Sequence, residues 1–189
     1  IVPAAAAKLV VIGPTRVAVG EQFALGVKVE DAWGNPAVAH NGMARLDIPA
    51  GVEGLPEQVD FSGQEGVVRI EGGRCTVPDT FSILATAPGL ERGESPPLEC
   101  VEDLGTHRPF WGDLHGQSEE TVGTNSVEDY FRFARDVSLV DFTGHQGNDF
   151  QITPEFWERI GRCARDFDTP GRFVVFPGYE WSATTPAGG

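Results

Sequence analysis

The chain has 189 residues, 40% of them hydrophobic and 22% charged, a balance ordinary for a globular fold. Its 28 Asp and Glu against 14 Lys and Arg give a formal net charge of −14, which repels a phosphate backbone and excludes nucleic acid as a general partner. No apolar run approaches the roughly 20 residues that a membrane span needs, so a soluble chain with no membrane partner is expected.

Residues 8–102 read as short strands separated by turn residues. The expected strands are 8–12, 16–19, 22–30, 43–48, 66–71, 81–87 and 98–102. Phe23, Leu25, Val27 and Val29 alternate with Gln22, Ala24, Gly26 and Lys28, a period of two with one apolar face. Trp33-Gly34-Asn35-Pro36, Pro49-Ala50-Gly51, Gly72-Gly73 and Pro88-Gly89 mark turns. About seven such strands over about 95 residues point to a β-sandwich. The stretches Val17-Ala18-Val19-Gly20-Glu21 and Asp31-Ala32-Trp33-Gly34-Asn35-Pro36 resemble immunoglobulin-like modules of bacterial multidomain proteins. That implies an immunoglobulin-like sandwich over residues 1–104.

The pattern changes near residues 102–106, and a second domain is expected over 105–189. Residues 110–114 read as a strand. Ser126 can cap a helix, with Asp129 completing a capping box, and Val127, Tyr130, Phe131, Ala134 and Val137 then share one helical face. Residues 139–143 are the next strand. Thr153-Pro154 is a cap followed by proline at the first helical position; Phe156, Ile160, Cys163 and Phe167 form that helix's apolar stripe. Residues 172–176, rich in Val and Phe, are a third strand. The order β-α-β-α-β favours a parallel sheet or the start of a barrel.

Three cysteines, Cys75, Cys100 and Cys163, with no C-x-x-C spacing, do not make a disulfide framework. Cys75 and Cys100 both fall in the β half and can pair if their strands are neighbours; free buried thiols are the expectation. Cys163 belongs to the helix core. His40 reads as a turn residue and His107 as a linker residue. Trp111 and Trp181 read as packing residues. The chain begins at Ile1 and its only methionine is Met43, so the native start is expected to lie elsewhere. No signal-peptide pattern is visible, and no compartment is assigned.

Polar clusters follow the three strands of the second domain. They are Asp113-Leu114-His115-Gly116-Gln117-Ser118, Gly144-His145-Gln146-Gly147-Asn148-Asp149 and Gly178-Tyr179-Glu180-Trp181-Ser182. Active sites in βα folds gather at the C-terminal ends of parallel strands. Asp113, His115 and Gln117, two residues apart, project to one side of an extended segment. With His145 and Glu180 they offer a mixed nitrogen and oxygen set suited to Zn²⁺, Mn²⁺ or Fe²⁺. Such an ion lowers the pKa of bound water and polarises a phosphoryl or sulfuryl oxygen.

Phe110-Trp111-Gly112-Asp113-Leu114-His115, then Asp141-Phe142-Thr143-Gly144-His145, then Pro177-Gly178-Tyr179-Glu180 resemble the three opening motifs of the PHP (polymerase and histidinol phosphatase) superfamily. The nearest branch is the group known as DUF3604. The resemblance covers residues 107–189. It implies a distorted (β/α)₇ barrel that binds one to three divalent ions and hydrolyses phosphoesters. By position, His115 matches the first histidine of the family's His-x-His, and Gln117 stands where the second would be. His145 matches the histidine of an Asp-His pair, with Gly144 in the aspartate's place. Glu180 matches a glutamate that often bridges two metals, and Asp113 is a ligand or supports one.

The expected catalytic group is therefore Asp113, His115, His145 and Glu180, with Gln117 added to the metal ligands. Gln117 and Gly144 depart from the family pattern and reduce the ion count expected; Glu119, Glu120, Asn148 or Asp149 are the nearby residues able to compensate. The family's later ligands lie on strands beyond Gly189, so the missing C-terminal part of the barrel is an expected partner. The expected function is a metal-dependent hydrolase of small-molecule phosphate or sulfate esters. The alternative is a non-catalytic binding protein with a degenerate site. An amidohydrolase-like enzyme is disfavoured by the missing second histidine.

Overall fold

The computed structural model describes residues 3–182. The chain divides after Pro109 into two compact units, each with its own apolar core. The division falls slightly beyond the boundary expected after residue 104.

The first unit is all β. Its strands are β1 (Lys8–Ile12), β2 (Arg16–Ala18), β3 (Gln22–Glu30), β4 (Met43–Asp47), β5 (Val52–Glu53), β6 (Gln58–Asp60), β7 (Val67–Cys75), β8 (Asp79–Phe81), β9 (Leu84–Thr86), β10 (Gly93–Glu94) and β11 (Leu98–Val101). They form three sheets, in the orders β1-β3-β7-β5, β10-β9-β4-β6 and β2-β11-β8. The long antiparallel pairs β1–β3 and β3–β7 form the backbone of the unit. The period of two in β3 buries Phe23, Leu25, Val27 and Val29, and they join Leu9, Leu46, Phe61, Ile83 and others in one core. Glu30 is also buried. Lys28 Nζ at 2.9 Å and Lys8 Nζ at 3.3 Å neutralise it, as a charge withdrawn from water requires.

Two features differ from the sequence reading. Gly72-Gly73, read as a turn, lies inside β7, where the register against β3 shifts between Phe23 and Leu25. A Cβ on Gly73 would lie 2.6 Å from the Phe23 ring. Glycine there makes room for a core aromatic rather than ending the strand. The single strand expected over 81–87 is two strands in different sheets. The backbone of Ile83 between them is satisfied by Ser95, whose Oγ accepts from Ile83 N at 3.0 Å and whose N donates to Ile83 O at 2.9 Å. Strands β5, β6 and β10 are two or three residues long, too short to show a period.

The second unit runs β12 (Gly112–Gly116), α1 (Val127–Arg132), a π-helical turn over Phe133–Ser138, β13 (Phe142–His145), a short 3₁₀ turn, α2 (Pro154–Phe167) and β14 (Val174–Pro177). The three strands are parallel in the order β12-β13-β14. Ser126 Oγ accepts from Asp129 N and Thr153 Oγ1 from Phe156 N, so both expected caps form. The first helix widens into the π turn and stops at Leu139, which is left-handed with φ 59°. This moves the start of the second strand from the expected residue 139 to Phe142.

The helices cover one face of this sheet. Val127, Phe131, Ile160, Cys163, Phe173 and Val175 form the core there. On the other face Leu114, Val174 and Phe176 are 50%, 42% and 48% exposed. The described part of the unit is thus an open three-stranded sheet rather than a closed barrel. Among the described residues no helix is long and apolar enough to cross a membrane.

Candidate functional site

The C-terminal ends of β12, β13 and β14 lie side by side because the strands are parallel, with one register shift between Asp113 and Gly116 in the β12–β13 pair. Gly116 pairs with His145, and His145 pairs with Pro177. Backbone bonds then draw the following loops together. Gln146 N donates to Gly116 O at 2.8 Å, Glu180 N to Gly147 O at 2.9 Å and Asp149 N to Glu180 O at 2.9 Å. Glu180 is therefore held against the loop after β13, three residues beyond its own strand.

This arrangement sets His115 opposite Glu180. Nε2 of His115 stands 3.8 Å from Oε2 of Glu180, and both side chains face solvent. They are two donors of the kinds that divalent ions accept. Asp113 lies on the same strand, exposed, and its Oδ1 accepts from His115 N at 2.8 Å. Gln117 turns its Oε1 toward Val122 N at 3.4 Å.

His145 is placed otherwise. It is fully buried, edge-on to the Phe156 ring. Gly147 N–H donates to Nδ1 at 3.2 Å, and Nε2 lies 2.9 Å from Ser118 Oγ. With Nδ1 accepting, the neutral ring carries its proton on Nε2 and donates it to Ser118. Both nitrogens are thus occupied by protein groups, and burial pushes the imidazole pKa below its ordinary value. The sequence reading set His145 beside His115 as a ligand. The fold makes it the interior pin that ties the Ser118 loop to the end of β13.

Among the described residues no three His, Cys, Asp or Glu side chains come close enough to share an ion. As arranged, Asp113, His115, Gln117, His145 and Glu180 do not form a metal shell. The pair His115–Glu180 fits two positions of one, and no reaction step through an ion is derived from it. Of the residues named as able to compensate, Glu120 is engaged elsewhere, 2.6 Å from Arg159 Nη1. Arg159 also chelates Glu128, its Nε donating to Oε1 at 2.8 Å and its Nη2 to Oε2.

The sequence places Tyr130 only on the helical face it shares with Val127, Phe131, Ala134 and Val137. Its hydroxyl lies 2.6 Å from Thr143 Oγ1, which itself donates to Asp113 O at 2.8 Å. Burial pushes the phenol pKa up, and the facing Asp113 carboxylate adds to that. Tyr130 therefore braces the strand that carries Asp113 and His115. The one sequence signal was a tyrosine, with a hydroxyl to satisfy, in an otherwise apolar helical stripe. Tyr179, by contrast, packs edge-on against Trp157. Trp111 and Trp181, expected to pack, are 61% and 74% exposed. His40 packs its ring edge against Phe61, and His107 is exposed with Nδ1 beside Thr106 Oγ1.

No family model matches the chain. It is 25% identical over 181 residues to an uncharacterized protein of Chlamydia pneumoniae, covering 93% of this chain and 29% of that protein. An uncharacterized protein of Chlamydia trachomatis is also 25% identical, over 95% of this chain and 29% of its own length. The chain thus spans less than a third of the curated relatives it matches. Among solved structures, a β-glucuronidase of Parabacteroides merdae aligns at TM-score 0.43 and 12% identity, over 52% of this chain and 13% of that one. The PKD domain of an M14-like peptidase from a Thermoplasmatales archaeon aligns at TM-score 0.33 and 12% identity, over 53% of this chain and 99% of that one. These likenesses bear on neither unit's function.

Proposed function

We propose that the second unit is the opening part of a metal-dependent hydrolase of phosphate or sulfate esters, of the PHP type that its three motifs resemble. The first unit would then be an immunoglobulin-like module in front of it. The observation that carries the reading is the opposition of His115 and Glu180 across the C-terminal ends of a parallel sheet, 3.8 Å apart and open to solvent. A divalent ion held there would polarise the ester oxygen and activate a water. The chain's own residues prepare that edge. Asp113 holds His115 N, Tyr130 and Thr143 brace β12, and the Gly147–Asp149 backbone clasps Glu180. His145 positions the Ser118 loop from within.

The relatives' greater length supports a second part of the same reading. Strands beyond these three would supply the remaining donors and cover the apolar face of Leu114, Val174 and Phe176. Burying that face offers about 25 cal/mol for each Å² of apolar surface removed from water.

The test is calorimetric titration of the 189-residue chain with Mn²⁺ and Zn²⁺, beside His115→Ala and Glu180→Gln. Aryl phosphate and aryl sulfate turnover is measured with each ion. Binding to the parent chain that falls at least tenfold in both variants supports the reading. Equal binding in all three proteins removes it. A non-catalytic binding unit is the second reading, favoured by the engagement of both His145 nitrogens. It predicts ester turnover no different from buffer at every ion concentration.

A further inference from the structure

Cys75 ends β7 and Cys100 lies in β11, in two different sheets of the first unit. The segment after β2 ties these strands together. Ala18 pairs with Val101, Val19 N donates to Val101 O at 2.8 Å, and the next residue, Gly20, donates its N–H to Cys75 O at 2.8 Å. One backbone step thus separates the bond to β11 from the bond to β7. In β11 Leu98 and Cys100 point inward while Glu99 points out. Cys75 and Cys100 are 0% and 3% exposed and belong to the same core. Both thiols are free. Burial pushes the Cys75 thiol up to about 12, and the neighbouring Cys100 thiol adds to the rise. The third cysteine, Cys163, is in the other unit and donates to Glu128 Oε1 at 3.3 Å.

We propose that Cys75 and Cys100 are an oxidisable pair that closes into a disulfide joining two sheets of the first unit when the chain folds in the presence of a small-molecule disulfide. One cysteine, as thiolate, attacks the oxidant's disulfide; a mixed disulfide forms and one small thiolate leaves. The second cysteine loses its proton and attacks the protein-side sulfur, and the second small thiolate leaves. The pair gives up two protons and two electrons, and the oxidant takes them as two thiols. In the folded protein the buried, hard-to-ionise thiols are poor nucleophiles. The exchange therefore belongs to the folding chain or to an opened state. The bond closes a loop that holds β8, β9 and β10, and so restricts the unfolded chain.

The test is to refold the 189-residue chain in a mixture of oxidised and reduced glutathione, block free thiols with iodoacetamide, and map peptides by mass. The expected product carries a Cys75–Cys100 linked peptide and alkylation at Cys163 alone. It melts several degrees above the reduced protein, and a reductant abolishes the difference. Cys163→Ser retains the link and Cys100→Ala loses it. If Cys100→Ala does not fold, peptide mapping of the parent chain decides. Alkylation of all three cysteines after refolding, or links that involve Cys163 in place of the pair, would overturn the proposal.

Discussion

His145 carries two separate predictions. Its ring fills a buried space and satisfies both Gly147 N–H and Ser118 Oγ. Truncation in His145→Ala leaves a cavity and unpaired polar groups, at a cost of about 2–4 kcal/mol, read by urea unfolding. The second concerns pH. Burial lowers the folded imidazole pKa below the unfolded value near 6.5. Below that value the unfolded chain takes up the proton first. The contribution is thus full above pH about 6.5 and is lost as pH falls through the lower folded pKa. His145→Gln, which has no proton to gain, is expected to flatten the stability curve in that window. Glu128 acts in the same direction at lower pH. Its bond to Arg159 first of all holds its pKa at about 2, against 4.5 for the free group. Its contribution is present above pH about 4.5 and disappears toward pH 2. Acid unfolding of Glu128→Gln is expected to lose that part of its slope.

At the scale of elements, local signals located both helices, because their caps are satisfied within three residues. Thr153→Ala removes the bond to Phe156 N and is expected to cost about 1 kcal/mol, measured by thermal unfolding. Gly116 shows the opposite case. Nothing in its neighbourhood of sequence marks it, yet a Cβ there would lie 1.9 Å from the Tyr130 ring and hydroxyl. Gly116→Ala must displace Tyr130 from Thr143. It is expected to lower stability by about 1–3 kcal/mol through overpacking and to shift the tyrosine absorbance. The strand over 81–87 and the Gly72-Gly73 turn were misread for one reason. Whether a chain crosses between sheets, or bulges to admit a ring, depends on partners far along the sequence.

At the scale of the molecule, two cores separate without sharing a residue. Residues 1–109 alone are expected to keep a β-type circular dichroism spectrum and to unfold in one cooperative step. A chain cut after Pro109 that loses its ellipticity would contradict this. The second unit leaves Leu114, Val174 and Phe176 half exposed on one sheet face. Changing Leu114 and Phe176 together to serine is expected to lower the fluorescence of a bound hydrophobic dye, with the helix content unchanged.

Sequence alone was enough for the β-rich first half, the β-α-β-α-β order of the second, the two capped helices and the gathering of polar residues at strand ends. Each of these is a short-range property: a period, a cap or a turn residue read within a few positions. It did not separate His115 from His145, since each is the one histidine of a polar cluster at the C-terminal end of an expected strand. Tertiary structure made that distinction. The end of β12 opens to solvent and presents His115 to Glu180. The end of β13, central in the sheet and roofed by Phe156 of α2, buries His145 against Ser118. Exposure is set by what packs above a strand, and that is decided only when distant segments meet.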